Sequence, residues 1–497
     1  ASSVGGAPVD VSLRSLASDD WTPSTQLTFA VSGAVGGTVT LQPDGFTARF
    51  TPTSGFTGEQ VFSFTATDLD GATSSPGTVV IGTSPVVSNW TSTTSGNWST
   101  GANWQGGVAP TSGRGAELQF FNGQTVGAVT LTPTNNLSNP TLLNRLTLAG
   151  TGATTAVVNV SGSALKLVSN GAVPPIITLS GTPAGFRYNV ANAITLDANV
   201  TFNCTGGAGF VFNGSIDGTG GLTRTSSSGS FVLAGNNSYT GPTTISSGTL
   251  QIGNDGSTGT PGSGPITIAS GATLRIDRSG SIDISNDISG GGGLLLHCPA
   301  STDVVTLSGT NSFSGEVRLT GGALRISDGS QLGSGTKNVV IDGSNGSLRL
   351  NGSAGAVVLP ESLRLFTNTT TDSIVNETGN NVITGSITMA GGSGGRRITS
   401  LAGTLSLEGV ISTNTTGRSL ELRGAGTGII NGSILDASAV NTVTGLTKSE
   451  NGTWILNGNN IFSGATTVSA GKLIINGSHA SGAVTVAANT TLAGNGS

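Results

Sequence analysis

The chain has 497 residues, of which 80 are glycine, 35% are hydrophobic and only 9% are charged. A net charge of −5 provides no basic footprint for nucleic acid, and no apolar run of about 18 residues offers a membrane-spanning helix. So much glycine with so little charge would suit a disordered chain, but aliphatic residues recur at strand period along most of the length, which predicts a folded all-β protein.

Residues 1–84 open on a polar segment rather than a signal peptide, as in a mature or trimmed chain. Val39 and Leu41, then Phe46, Ala48 and Phe50, then Val61, Phe62 and Phe64 mark successive strands. Turn residues fall about every 8–12 positions, the spacing of a β-sandwich. Thr51-Pro52, Gly55-Phe56-Thr57-Gly58 and Asp68-Leu69-Asp70-Gly71 resemble the corresponding stretches of bacterial Ig-like or cadherin-like modules. That resemblance implies a spacer, with Ca²⁺ at acidic ends in cadherin-type members. Asp19, Asp20, Asp68 and Asp70 are candidates by residue type alone, and two acids ahead of a glycine usually make a turn. No cofactor is otherwise expected.

Ser84-Pro85 reads as a linker. Trp90, Trp98 and Trp104 then bring three of the five tryptophans into 15 residues. They suit either an aromatic platform for a glycan or a cap on the open end of a solenoid. The cap is the stronger reading, because the first coil of a stacked repeat otherwise exposes its core.

Residues 118–230 alternate as strands, for example LTLAG at 146–150, VVNVSG at 157–162 and ITLDANVTF at 194–202. A 22-residue frame then appears at Phe231–Ile252 and recurs without gaps at Val305–Ile326 and Trp454–Ile475. Seven positions are identical: Leu233/Leu307/Leu456, Gly235/Gly309/Gly458, Asn237/Asn311/Asn460, Gly241/Gly315/Gly464, Gly248/Gly322/Gly471, Leu250/Leu324/Leu473 and Ile252/Ile326/Ile475. A worn copy starts near Val375, where Gly379–Gly385 reads GNNVITG against GNNSYTG at Gly235–Gly241. Starts at 231, 305, 375 and 454 give steps of 74, 70 and 79 residues, about three solenoid coils each at roughly 20–30 residues per coil.

GNNSYTGPTTISSGTLQIG followed by GSGPITIASGATLRI resembles the autotransporter-associated β-strand repeat. The resemblance implies a right-handed parallel β-helix in a secreted or surface-displayed bacterial protein. The expected organisation is a β-sandwich over 1–84, a linker and Trp-rich cap over 85–117, and a parallel β-helix over 118–497. Leu233, Leu250, Ile252, Leu307, Leu324, Ile326, Leu456, Leu473 and Ile475 form the expected repeat core, with equivalent leucines in one interior column. Gly241 and Gly248 fit turns with positive φ, and Asn237 fits a corner that bonds its own backbone. Arg224, His297 and Lys448, at nearly equivalent places ahead of the copies, read as a solvated edge. Cys204 and Cys298 keep the inward phase of their strands and are expected as free buried thiols. The chain stops inside a repeat, which reads as a piece of a longer protein.

An enzymatic β-helix needs converging polar groups, such as two carboxylates about 5–9.5 Å apart for glycoside hydrolysis. Asp277, Asp283 and Asp287, with Arg275 and Arg278 beside them, are the densest candidates. Asp277 and Asp283 alternate with isoleucines and are expected to face solvent as surface ion pairs. Two histidines, His297 and His479, without a metal-ligand spacing support no zinc site. The expected function is therefore structural and non-catalytic: a bacterial, extracellular or cell-surface, adhesin-like stalk. Its expected partners are further domains of a parent chain, with cell-surface glycan or neighbouring protein copies as candidates for attachment. The alternative is a glycan-binding or glycan-degrading β-helix.

Overall fold

A computed structural model describes residues 6–497 apart from 55, 57, 58, 184, 344, 370, 392–394 and 481. Gly55, Thr57 and Gly58 of the module signature thus lie outside the described residues. The chain forms two compact units, one holding the residues up to Phe231 with Gly235–Pro242, the other Val232–Ala234 with Thr243–Ser497.

The first unit begins with two antiparallel three-stranded sheets. Val9–Ser12, Thr47–Pro52 and Gly37–Leu41 make one; Thr28–Val35, Gln60–Thr67 and Gly77–Ile81 make the other. Alternation places Phe29, Phe50, Phe62, Phe64, Val79 and Ile81 in one shared core. Phe46, in phase with Ala48 and Phe50 but ahead of their strand, packs partly buried on this core, and Val61, out of phase with Phe62 and Phe64, is partly buried.

Parallel stacking starts at Val86. Strand Val86–Trp90 pairs with Ala116–Phe120, which pairs with Arg145–Leu148, and the ladder continues through Ile176–Leu179 and Val200–Cys204 to Leu222–Arg224. The cap segment therefore supplies the first strand of the coils. A second face of the same coils runs through Val157–Gly162, Arg187–Val190 and Gly209–Phe212. A third runs through Thr141–Leu143, Leu165–Leu167, Ile194–Leu196 and Ile216–Gly218.

The second unit is built the same way. One face carries Leu250, Leu274, Leu294, Val317, Val339, Leu365, Ile387 and Ile411 in register, at coil lengths of 20–26 residues. A second carries Val305, Leu324, Leu348, Ile374, Ile398 and Leu422. A third carries Trp454, Leu473 and Leu492.

Leu250, Leu324 and Leu473 are all fully buried, but they stand on three different faces, not in one column. Three coils lead from Leu250 to Val317, 67 residues on, and the equivalent leucine lies seven residues further, past one corner. The 74-residue step is thus three coils plus one side. Each frame spans one coil on its own, because its first and last strands pair directly: Val305 with Leu324, Trp454 with Leu473. All three sides present an apolar interior, so a frame can start on any of them. Leu233, Ile252, Leu307, Ile326 and Leu456 are also buried, whereas Ile475 is half-buried.

Candidate functional site

The invariant frame positions hold coil to coil. Asn237 Oδ1 accepts from the Ile216 amide at 2.9 Å, Asn311 Oδ1 from Ile288 at 2.9 Å, and Asn460 Oδ1 from Ile434 at 3.0 Å. Each amide lies one coil back, so the asparagines bridge coils, and Asn460 also makes the expected local bond, its Nδ2 donating to Gly458 O at 2.9 Å. Asn311 Nδ2 reaches the other way to Gln331 O at 2.8 Å. Asn381 does the same in the worn copy, accepting from Val357 N at 2.7 Å, which gives that copy a structural basis beyond its sequence. Corners break the strand ladder, and buried backbone groups there require partners.

The glycines divide into two kinds. Gly248, Gly322 and Gly471 have φ of 70°, 72° and 69°, the left-handed turn expected of them. Gly241, Gly315 and Gly464 do not turn this way; they permit close approach. A Cβ on Gly315 would lie 2.2 Å from Gly292 O in the neighbouring coil.

Trp90, Trp98 and Trp104 are buried to 0%, 0% and 2% exposure. Trp104 packs edge-on to both others, with centroids at 5.3 and 6.1 Å, and all three surround Phe120. Trp104 Nε1 donates to Trp98 O at 2.8 Å. Rings without an accessible face offer a glycan nothing to stack on, which corrects the platform reading; the cluster fills the interior of the first coil.

Arg224 and Lys448 correct a second expectation, because both are fully buried rather than solvated. GLTR at 221–224 and GLTK at 445–448 align with GLLL at 293–296, so their true counterpart is the buried Leu296, and exposed His297 is one residue out of phase. Arg224 Nη2 donates to Ser228 O and Gly229 O at 3.2 and 3.1 Å. Lys448 Nζ donates to Ser449 O, Glu450 O and Ala470 O at 2.7, 2.6 and 3.0 Å. Inward cations thereby satisfy carbonyls at the corners. Burial pushes the Lys448 ammonium down to about 8 and lowers the Arg224 guanidinium.

The acid cluster is dispersed. Asp277 is buried at 3% exposure, not solvent-facing, because its strand ends at Ile276 and the corner turns it inward against Arg275. Burial raises its carboxyl, as does neighbouring Asp255, while Arg275 pulls it back. Asp283 is exposed and accepts from Ser308 Oγ at 2.7 Å; Asp287 accepts from Thr310 N at 2.7 Å. Arg278 turns to Gly259 O and Ser257 O. Cys204 and Cys298 are free and buried; burial raises the Cys204 thiol to about 11 and the Cys298 thiol as well.

In the amino-terminal sheets, Asp19 accepts from the Trp21 and Thr22 amides, and Asp68 accepts from Ala72 N, as turn residues do. Among the described residues, no three His, Cys, Asp or Glu side chains converge as metal ligands, and no helix is long and apolar enough to cross a membrane.

The family model of the passenger-associated-transport repeat matches residues 226–252, 302–326 and 446–475, and that of the bacterial Ig domain matches residues 2–82. The chain carries passenger-associated-transport repeats behind a bacterial Ig domain. The three matched passenger repeats contain the three complete frames. Over 229 residues the chain is 31% identical to the Adhesin BmaC autotransporter of Brucella suis biovar 1 (strain 1330), covering 41% of this chain and 6% of that relative. The chain therefore spans only a small part of the relative's length. No solved structure matches it. Passenger repeats and an autotransporter relative place the chain at the bacterial cell surface or outside the cell.

Proposed function

We propose that this chain is a section of a surface adhesin, in which the Ig domain acts as a spacer and the β-helix as a stalk that extends and displays attachment surfaces. One observation carries this reading: the passenger repeats keep only the residues that hold coils together. The inward leucines, bridging asparagines and close-approach glycines are invariant, while the outward position shared by Thr244, Arg318 and Thr467 varies. A scaffold needs the first set and leaves the second free. In this reading the Ig domain spans 1–84 and the stalk follows from 85, the tryptophan-rich segment 85–117 contributing its first strands and filling its first coil ahead of 118–497. Its partners are further domains of a longer chain and a ligand or neighbouring copy on the opposing surface.

The chain is not an enzyme in this reading, since Asp277, Asp283 and Asp287 are engaged separately. The experiment is a pair of assays on the purified chain. Beads coated with it should bind host-type cells above albumin-coated beads. No reducing ends or unsaturated products should appear from pectin, alginate or host glycans, with or without Ca²⁺. Absence of bead attachment defeats the adhesin reading, and turnover that Asp283→Asn abolishes establishes an enzyme instead.

A further inference from the structure

We propose that the outer face of the second unit holds a binding site for one neutral hexopyranose ring, with Phe366 and Val340 as its floor and Arg318, Asp342 and Asn368 as its rim. This deepens the attachment reading, on which it rests, by naming the ligand class.

Arg318, Val340, Phe366 and Thr388 stand side by side in register, pointing outward between buried neighbours. The aromatic residues at the ninth position of the three frames, Tyr239, Phe313 and Phe462, are fully buried, whereas Phe366, outside the frames, faces outward and is partly exposed. Beside this row, Asp342 and Asn368 continue the ladder past the strand ends, with Asn368 N donating to Ile341 O at 2.7 Å. Together they surround a shallow depression of about 220 Å³.

The chemistry selects a sugar. A pyranose has a face of axial C–H bonds that packs on an aromatic ring and a belt of hydroxyls that pair with planar polar groups. Small-ligand sites combine such an apolar floor with a few fixed polar groups. The rim is fixed before any ligand arrives. Asp342 Oδ2 accepts from Arg318 Nη2 at 2.8 Å, and its Oδ1 accepts from Asn368 Nδ2 at 2.8 Å and Gly343 N at 2.7 Å. Asn368 Oδ1 accepts from Arg396 Nη2 at 3.3 Å, and Arg396 is itself buried and tied to Ala390 O and Gly391 O. Little side-chain freedom remains to be lost on binding. Gly391 makes the arrangement sterically feasible: at its φ of +58° a Cβ would lie 2.2 Å from Asn368 Oδ1.

Charge and size narrow the ligand further. Arg318 is already paired with two carboxylates, Asp342 Oδ2 at 2.8 Å and Glu316 Oε1 at 3.4 Å, so the rim selects neither a carboxylated sugar nor a phosphate. The depression is smaller than the ~300–1,000 Å³ of drug-sized sites, which suits a single ring. Weak binding at one site gains strength when many copies of the chain face one surface.

The test uses the purified full chain with methyl β-galactopyranoside, methyl β-glucopyranoside and methyl α-mannopyranoside, read by saturation-transfer NMR and calorimetry. At least one glycoside should receive saturation on its axial C–H protons. Phe366→Ala and Asp342→Ala should each weaken that binding at least tenfold, with unchanged circular dichroism. Thr467→Ala, the frame counterpart of Arg318 on another face, should leave it intact. No binding of any of the three, or binding retained in Phe366→Ala, overturns the site. Attached beads that ignore both the glycosides and Phe366→Ala would also defeat it while leaving the adhesin reading standing. Glycoside binding without bead attachment would do the reverse.

Discussion

Replacing Asn311 with alanine tests the coil-bridging role directly. Asn311 is 7% exposed, and its amide serves two backbone groups on opposite sides, Ile288 N at 2.9 Å and Gln331 O at 2.8 Å. Truncation leaves a buried amide and a buried carbonyl without these partners. Each such loss costs about 1–3 kcal/mol, so the pair predicts about 2–6 kcal/mol if the two add. Thr310→Ala, one residue away and exposed, should stay within about 0.5 kcal/mol. Coils of a solenoid contact only their neighbours and open locally, so the assay must be local as well as global. Hydrogen exchange of the peptide containing Ile288 should accelerate in Asn311→Ala, and the urea midpoint should fall. Exchange at Ile288 indistinguishable from that of Thr310→Ala would refute the bridging argument, whatever happened to the midpoint.

Two further predictions use the interior. Leu324→Asp buries an unpaired carboxylate between Val305 and Leu348 and should cost several kcal/mol; a urea midpoint equal to that of Thr310→Asp would contradict its placement. Lys448 titrates at about 8 in the folded chain, against 10.5 for an ordinary lysine. Below pH 8 both states carry the proton, and the folded state bears the burial cost. Between pH 8 and 10.5 the unfolded state holds more protons, so stability should rise with pH, by up to roughly 3 kcal/mol from this group. Urea midpoints at pH 7 and pH 10 should therefore diverge more in the wild type than in Lys448→Met, and an equal response of the two would refute the assignment.

The residues themselves determine the strands, the repeat frame and its buried leucines. Alternation at a period of two is local, and Gly248 and its counterparts mark turns that any chain of this pattern must make. What the alternation cannot carry is phase across a corner. Arg224, Asp277 and Lys448 each sit at or beside a strand end, where one corner decides whether a side chain faces in or out. Only the folded coils decide that Leu250, Leu324 and Leu473 lie on three sides, since the step of 74 residues does not reveal how many close a coil. The amides that donate to Asn237, Asn311 and Asn460 come from about one coil back and leave no local mark. Tertiary structure likewise turns the three tryptophans inward around Phe120, and it brings Phe366 beside Asp342 and Arg318, which lie in three successive coils. Those contacts exist because stacking at a fixed inter-strand spacing, about 4.8 Å, makes neighbours of residues that the chain itself holds some two dozen positions apart.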